Sequence, residues 1–469
     1  MPAAGRPAVR TDACQSGGVS TTTRPAPAAT RPRATTAAAA LALVALVAAV
    51  AATLRLDSPA NAPWLSLVAI GGLFALYVGG SALVLRAPVR LGTTIAVAGG
   101  VVLQAAAVSV VPRGTDDYLR YAWDGRVQAA GIDPYRYVPG APELARLRDA
   151  WLFDGASPRL NHPEARTIYP PVAEAWFWLV HVVSGGQGRQ VPLQIAMAVL
   201  AVATSVAVVV VLRRTGGDPR LVVWWAWCPT VVLEAGNNAH VDVLGSLLAV
   251  CALGAVATRR WVGGGVLLGL AGAAKFLPAL VAVTVPPRRS LRVGLAAVLA
   301  LVAVYLPHVA VLGFDVTGFL GGYMSEESRG RFTVIRTVVP DGAPATAVAV
   351  LILAATALLV WRHAGRLEAA GAPLRPWDGA AVMVGVSFVV LTPSYSWYAL
   401  LLVPLVALGA RPAWLWVVAA GYPVYSSAVL PSGTRAVSYG VAALLVAAAY
   451  ARATRVAHVR ASAASIARR

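Results

Sequence analysis

Five charged side chains fall within eleven residues: Asp116, Asp117, Arg120, Asp124 and Arg126. They alternate with Tyr118, Tyr121 and Trp123 in the string GTDDYLRYAWDGRVQAAGIDPYRY, which begins at Gly114. If 116–130 is helical, Asp116 and Arg120 share one face and Asp117, Tyr121 and Asp124 another, since residues three and four apart are neighbours on a helix. An arginine can then orient a carboxylate while aromatic rings wall a pocket. These are the parts of a carbohydrate site. A single carboxylate serves as general base on a sugar hydroxyl, whereas two carboxylates several ångströms apart suit hydrolysis. The plainer reading is helix capping and Asp–Arg pairing at a water boundary.

A second polar group, EAGNNAHVD, holds Glu234, Asn237, Asn238, His240 and Asp242 between two apolar runs. Polar residues at the end of a bundle are costly unless used, and these can hydrogen-bond hydroxyls or a phosphate. One His with carboxylates fits magnesium or manganese only loosely, and no metal is expected. Lys275 in AAKFLP is a lone cation in apolar sequence from Val262 to Val285. It either pairs with an anion such as a lipid phosphate or snorkels to the surface. RLNHPEARTIYPP adds Arg159, Asn161, His162, Arg166 and Tyr169, and GGYMSEESRGRFTVIR adds Tyr323, Glu326, Glu327, Arg329, Arg331 and Arg336. The second of these strings reads either as a charged cover over a cavity or as a solvated face. Tyr395, Trp397 and Tyr398 in TPSYSWYALL fit an interfacial aromatic belt.

The elements that must position these residues are membrane helices. Of 469 residues 58% are hydrophobic and 13% charged, where soluble domains carry about 25% charged residues. The chain reads as an all-α polytopic membrane protein. Apolar segments fall at 38–57, 65–85, 92–111, 192–212, 221–236, 240–258, 293–311, 344–362, 379–391, 397–410, 413–428 and 437–452. The first is longer than a signal-peptide core and is read as an uncleaved helix. The formal charge of +19 resides in arginines of short connections and termini, which marks cytoplasmic loops rather than nucleic-acid binding. Cys14, Cys228 and Cys251 are scattered and form no metal or disulfide pattern.

With the N-terminus inside, Arg86, Arg90, Arg213, Arg214, Arg220, Arg259, Arg260, Arg288, Arg289, Arg292, Arg362, Arg366 and Arg411 all fall inside on two conditions. Residues 170–183 must not cross fully, and 263–285 must form no crossing or a broken pair meeting near Lys275–Pro278. The chain then divides into a disordered basic cytoplasmic tail (1–37), N-terminal spans (38–111), an extracytoplasmic catalytic loop with interfacial helices (112–191), a central core (192–311), an outer loop (312–343), C-terminal spans (344–452) and a basic cytoplasmic tail (453–469). Within the first outer loop, PELARLRDAWLF has the spacing of an amphipathic surface helix. This topology places the 112–191 region, the 234–242 group and the 312–343 loop on one side. No P-loop, nucleotide-binding glycine pattern, HExxH or serine elbow is present, so an activated donor is expected to be membrane-borne.

The strings DDYLRYAWDGRVQAAGIDPYRY, NHPEARTIYPPV, WCPTVVLEAGNNAHVDVLG and GLAGAAKFLP together resemble the bacterial GT-C glycosyltransferases. The likeness is greatest to the DUF2029 or GT87-like group, which includes polyprenol-phosphate-mannose-dependent mannosyltransferases of actinobacteria. It covers about residues 60–410. It implies a GT-C bundle of about 12–14 transmembrane helices in the plasma membrane, with both termini cytoplasmic. It also implies inverting transfer of a sugar, mannose first, from a polyprenyl monophosphate to a lipid or lipoglycan acceptor, with no cofactor. Carried over, the catalytic residue is Asp117 or Asp116, with Asp117 holding the motif register although Leu119 stands where a tyrosine is common. The resemblance also supports Lys275 and the Asn237–Asp242 group as cavity residues; the residue chemistry above extends the substrate contacts to Arg120, Tyr121, Trp123, Asp124, Arg126, His162, Tyr169, Glu234, Asn237, Asn238, His240 and Asp242, and gives the donor phosphate to Lys275, Arg329 and Arg331. The chain is expected to act as a monomer among membrane lipids. A transporter of polyprenyl-linked sugars would use similar cavity charges and is the alternative.

Overall fold

The computed structural model describes residues 32–56, 61–155, 157–186, 188–318, 320–328, 330–426, 430–431 and 433–466. The expected tail up to residue 31, Arg329 and the last three residues lie outside them.

The protein is an all-α polytopic membrane protein. Helices α1 (Pro32–Thr53), α2 (Pro63–Val84) and α3 (Val89–Val108) open the chain, followed by the short α4 (Asp117–Ala129) and α5 (Pro171–Val183). Then come α6 (Gln190–Arg214), α7 (Val223–Ala226), α8 (Asp242–Ala257), α9 (Trp261–Gly272) and α10 (Pro287–Leu312). The C-terminal part contains α11 (Leu320–Ser328), α12 (Ala343–Ala369), α13 (Pro376–Leu391), α14 (Leu402–Gly409), α15 (Leu415–Tyr425) and α16 (Thr434–Ile466). Prolines sit in the first turns of α2, α5, α10, α12 and α13, where the missing N–H costs nothing. Helix α1 begins at Pro32, earlier than the apolar run, because alanines carry the helix outward. Leu291, Leu299, Leu351, Leu359 and Leu444 stay exposed on α10, α12 and α16, as lipid-facing side chains do.

Among the described residues seven helices are long and apolar enough to cross a membrane, or eight if one bent pair counts as a span, with four shorter apolar helices beside them. Not every one of the twelve apolar segments is a long straight helix, because several fold as short or broken helices. The expected span at 221–236 is one. Pro229 has no N–H to donate, and the chain runs from α7 through a break into a π-helical turn, Val231–Asn237. Trp225, Trp227 and Tyr77 fill the interior here, the indoles donating to Ala201 O (2.8 Å) and Ala96 O (3.0 Å). Segment 263–285 breaks as anticipated, into α9 and a 3-10 helix, Leu277–Thr284, with Lys275 at the gap.

The expected amphipathic helix over 142–153 does not form. One 3-10 turn, Pro142–Leu147, is followed by a turn in which Asp149 Oδ1 accepts from the Trp151 and Leu152 amides. A short aspartate side chain competes in this way with the helical backbone. A two-residue antiparallel hairpin follows, Phe153 pairing with Pro158 and Asp154 with Ser157.

Helix α4 packs flat on α5. A Cβ at Gly125 would lie 2.5 Å from the Phe177 carbonyl oxygen, so the glycine of the WDG string sets the approach of the two helices. Helices α3, α6 and α8 each place one end at the Asp117 side. Gln194, near the start of α6, donates to Val110 O and Asn237 O, just past α3 and just before α8. Their other ends carry Arg90, Arg213 with Arg214, and Arg259 with Arg260. At 1.5 Å per residue the two ends of α6 stand about 35 Å apart.

Candidate active site

The cavity is built where four interruptions of helical structure meet. The first is the start of α4. The second is the 157–170 loop, in which His162 takes a left-handed backbone (φ 46°). The third is the turn from the π-helical segment into α8, where the axis bends by 118° and Ala239 adopts φ 58°. Non-glycine residues rarely hold that region, and such strain collects at functional sites. The fourth is the gap at Lys275. The turn at Tyr395–Tyr398 and the end of α15 close the far wall, with the Tyr425 hydroxyl donating to Gly114 O. The cavity is about 230 Å³, lined by both acidic and basic side chains and by the rings of Tyr169, Tyr395, Trp397, Tyr398 and Tyr425.

Asp116 and Asp117 lie side by side on its wall. Asn161 Nδ2 donates to Asp117 Oδ1 at 2.6 Å and stands 3.4 Å from Asp116 Oδ1. Lys275 Nζ is 3.0 Å from Asp242 Oδ2 in an ion pair and faces the rings of Tyr169 (5.4 Å) and Tyr398 (5.8 Å). Asp116 loses hydration within the cavity wall and adjoins the Asp117 charge, and both effects hold its carboxyl above the ordinary carboxylate range. A raised carboxylate pKa means the fold binds a proton that the unfolded chain has released, so stability falls as pH rises through that interval. Asp116→Asn is therefore expected to raise the thermal midpoint in detergent at neutral pH. The gain should shrink as pH falls through that interval and be gone below the unfolded aspartate value of about 3.9; an equal gain at all pH values would contradict it.

The sequence-named residues sort into three positions. Asp116, Asp117, Arg120, His162, Tyr169 and Lys275 reach the cavity. Tyr121, Asp124, Glu234, Asn238, His240 and Asp242 lie directly behind it. Trp123, Arg126 and Asn237 do not line it. Trp123 packs edge-on against Phe153 (4.9 Å), Arg126 holds Leu147 O and Asp149, and Asn237 donates to Ala107 O and Val110 O. Arg331 lines a neighbouring apolar groove, and Arg329 lies outside the described residues.

Arg120 does not turn to Asp116, as the shared helix face allowed. It pairs with Asp124 at 3.0 Å, both side chains almost wholly buried, and donates to His162 O (3.3 Å) and Ala165 O (3.0 Å). Asp124 thus positions the arginine that holds the 162–165 loop against α4. Below it Glu174, which the sequence reading passed over, accepts from Thr167 Oγ1 (2.7 Å) and Gln128 Nε2 (2.8 Å). Its signal was a lone carboxylate in the apolar run PVAEAWFWLV. Asp124→Ala leaves Arg120 charged, buried and unpaired, and is expected to cost about 3–5 kcal/mol. Thermal unfolding in detergent checks it, and a loss within the ±0.5 kcal/mol usual for surface changes would be the wrong result.

Among the described residues no three His, Cys, Asp or Glu side chains converge as metal ligands. The groove beside the cavity measures about 320 Å³ and is lined by Phe276, Leu277, Leu320, Met324, Phe388 and Leu391. It shares Ile168, Tyr169, Lys275 and Tyr398 with the cavity, so Lys275 stands between a polar chamber and an apolar channel.

No curated protein and no solved structure matches the chain. Residues 33–286, more than half of it, match the family model described as the MptA/B family, alpha-(1->6)-mannopyranosyltransferase, N-terminal domain. The match takes in Asp117, His240 and Lys275 and stops short of the aromatic turn at 395–398. The chain belongs to this family, a mannosyltransferase of the GT-C type.

Proposed function

We propose that the protein takes mannose from a polyprenyl monophosphate and places it, with inversion, on a hydroxyl of a lipid-borne mannoside at the outer face of the plasma membrane. The α-(1→6) linkage follows the family description and makes the acceptor a primary hydroxyl. The observation that carries this reading is the position of Lys275 between the carboxylate-lined cavity and the apolar groove. A polyprenyl chain lies in the groove, its phosphate meets Lys275 with Arg331 beside it, and the sugar enters the cavity against the aromatic wall. Asp117 removes the acceptor proton as the hydroxyl oxygen attacks the anomeric carbon from the face opposite the phosphate. The bond from that carbon to the phosphate oxygen breaks, and Lys275 stabilises the negative charge that develops there. A β-linked donor then gives an α-linked product. The outer-face assignment is supported by the arginines at the opposite ends of α3, α6 and α8.

The test is product formation by purified protein in detergent, without a membrane potential, supplied with polyprenyl-phosphate mannose and a lipid-linked mannoside. Mass spectrometry should show one added hexose in α linkage. Sided movement of the donor in vesicles with no new glycoside would replace this reading with transport.

A further inference from the structure

Behind Asp117 runs a chain of polar groups that has no surface to offer a sugar. His240 is fully buried, and its ring stacks on Trp397 at 4.0 Å and 17°. Its Nδ1 stands 3.2 Å from Glu234 Oε2, and its Nε2 stands 3.8 Å from Asp117 Oδ2. Neither nitrogen makes a hydrogen bond of good geometry in this arrangement. Glu234 is itself buried and held from two directions, Oε1 accepting from Ser396 Oγ (2.7 Å) and Oε2 from Asn238 Nδ2 (2.8 Å). Three separate parts of the chain converge: the start of α4, the strained turn before α8, and the turn at 396.

A ring needed only for packing would be an apolar one, since buried polar atoms without partners are costly. The order carboxylate, imidazole, carboxylate instead has a chemical use. A carboxylate beside Nδ1 keeps the proton on that nitrogen, which leaves the Nε2 lone pair directed at the second carboxylate, and it stabilises the imidazolium once Nε2 is protonated. The 3.8 Å gap needs to close by about 1 Å to reach hydrogen-bonding distance, a tightening common when substrate enters.

We propose that His240 is the positioning residue and proton store of the general base Asp117, with Glu234 fixing its tautomer; this rests on Asp117 acting as the base. The acceptor O–H bond breaks and its oxygen forms the new glycosidic bond, while the bond from the anomeric carbon to the phosphate oxygen breaks and its electron pair leaves on the phosphate. The proton passes to Asp117 and on to His240 Nε2. The imidazolium then stands between two carboxylates, so Asp117 returns to its charged form before the product has left. When the cavity opens, the proton goes back through Asp117 to water, and the net yield is one proton per glycoside. The other ionisable groups around the chain are Asp116 beside Asp117, the Asp242–Lys275 ion pair, the hydroxyls of Tyr121, Tyr169 and Tyr398 near Asp117 and Asp242, and those of Tyr422 and Tyr425 near Glu234.

The experiment is the pH dependence of turnover for wild type, Glu234→Gln, His240→Gln, Ser396→Ala and Asp117→Asn, with polyprenyl-phosphate mannose as donor. His240→Gln and Glu234→Gln are expected to lower kcat by about 10²–10³ with the donor KM within about threefold, as expected when a base loses its support. The acid limb of the wild-type profile should move or disappear in both. Ser396→Ala removes one hydrogen bond to Glu234 and should shift the same limb with a loss of about threefold to tenfold. It is the decisive variant if the other two do not fold. An unshifted limb in Ser396→Ala together with His240→Gln turnover within threefold of wild type overturns the relay, as does an unshifted limb in Ser396→Ala alone when the others are unfolded. Asp117→Asn separates the two levels. If it is inactive while His240→Gln is unimpaired, only the relay is lost; if it turns over like wild type, the base assignment itself fails.

Discussion

Asp117→Asn is expected to lower turnover by about 10³–10⁴, at the upper end for loss of a general base, while the protein still folds and still binds its donor. The substitution changes little but proton affinity. The side chain keeps its shape, and an amide oxygen in the place of Oδ1 still accepts the short contact from Asn161. At the Oδ2 position an amide nitrogen replaces an acceptor and can no longer take a proton from a hydroxyl. Asp116→Asn is the internal control. Asp116 stands farther from Asn161 (3.4 Å against 2.6 Å) and does not face His240, so its replacement should leave turnover within about tenfold of wild type, a loss smaller than that of a base. The checks are single-turnover product formation and donor binding measured on the same preparation. Equal loss in the two variants would mean that the pair acts as one charged wall, and a larger loss in Asp116→Asn would exchange their roles.

Much of this arrangement could be read from the residue pattern, and the failures have physical causes. Apolar runs separated by arginines gave the class and put Asp117 and Glu234 at one end of the bundle, because both follow from transfer energies that a linear sequence carries. Helical spacing could not tell which face of α4 meets the cavity, since Leu119 through Gly125 are all buried and a helix enclosed on most sides has no polar face to mark. Trp123 and Arg126 were therefore grouped with Tyr121 and Asp124, yet one is core and the other ties down a loop. The breaks at Pro229 and Asp149 depend on local backbone competition that hydropathy averages away. Ser396 to Glu234 and Tyr425 to Gly114 join residues 162 and 311 positions apart, and nothing in either neighbourhood announces the other. Trp397 and Tyr395 were visible as aromatics, but an interfacial belt explained them equally well until the fold put both on the cavity wall and stacked Trp397 on His240.

Lys275 carries the second large effect, and its two duties can be taken apart. Its ion pair with Asp242 is buried on the carboxylate side, with Asp242 only 5% exposed, so Lys275→Gln leaves an uncompensated charge and should cost stability of about 3 kcal/mol. The same substitution removes the cation from the junction of cavity and groove. A charge-assisted contact to phosphate is worth about 1.5–3 kcal/mol, so the donor KM should rise by roughly 10–100-fold, and kcat should fall as well because the charge on the leaving phosphate grows in the transition state. The double variant Lys275→Gln, Asp242→Asn removes both charges together. It should recover most of the lost thermal stability, since no buried charge is left alone, yet recover none of the donor affinity. Thermal unfolding and steady-state kinetics on the single and double variants give the two answers separately. If activity returned with stability, Lys275 would serve only the fold, and the phosphate would have to be held from elsewhere, with Arg331 the next cation along the groove.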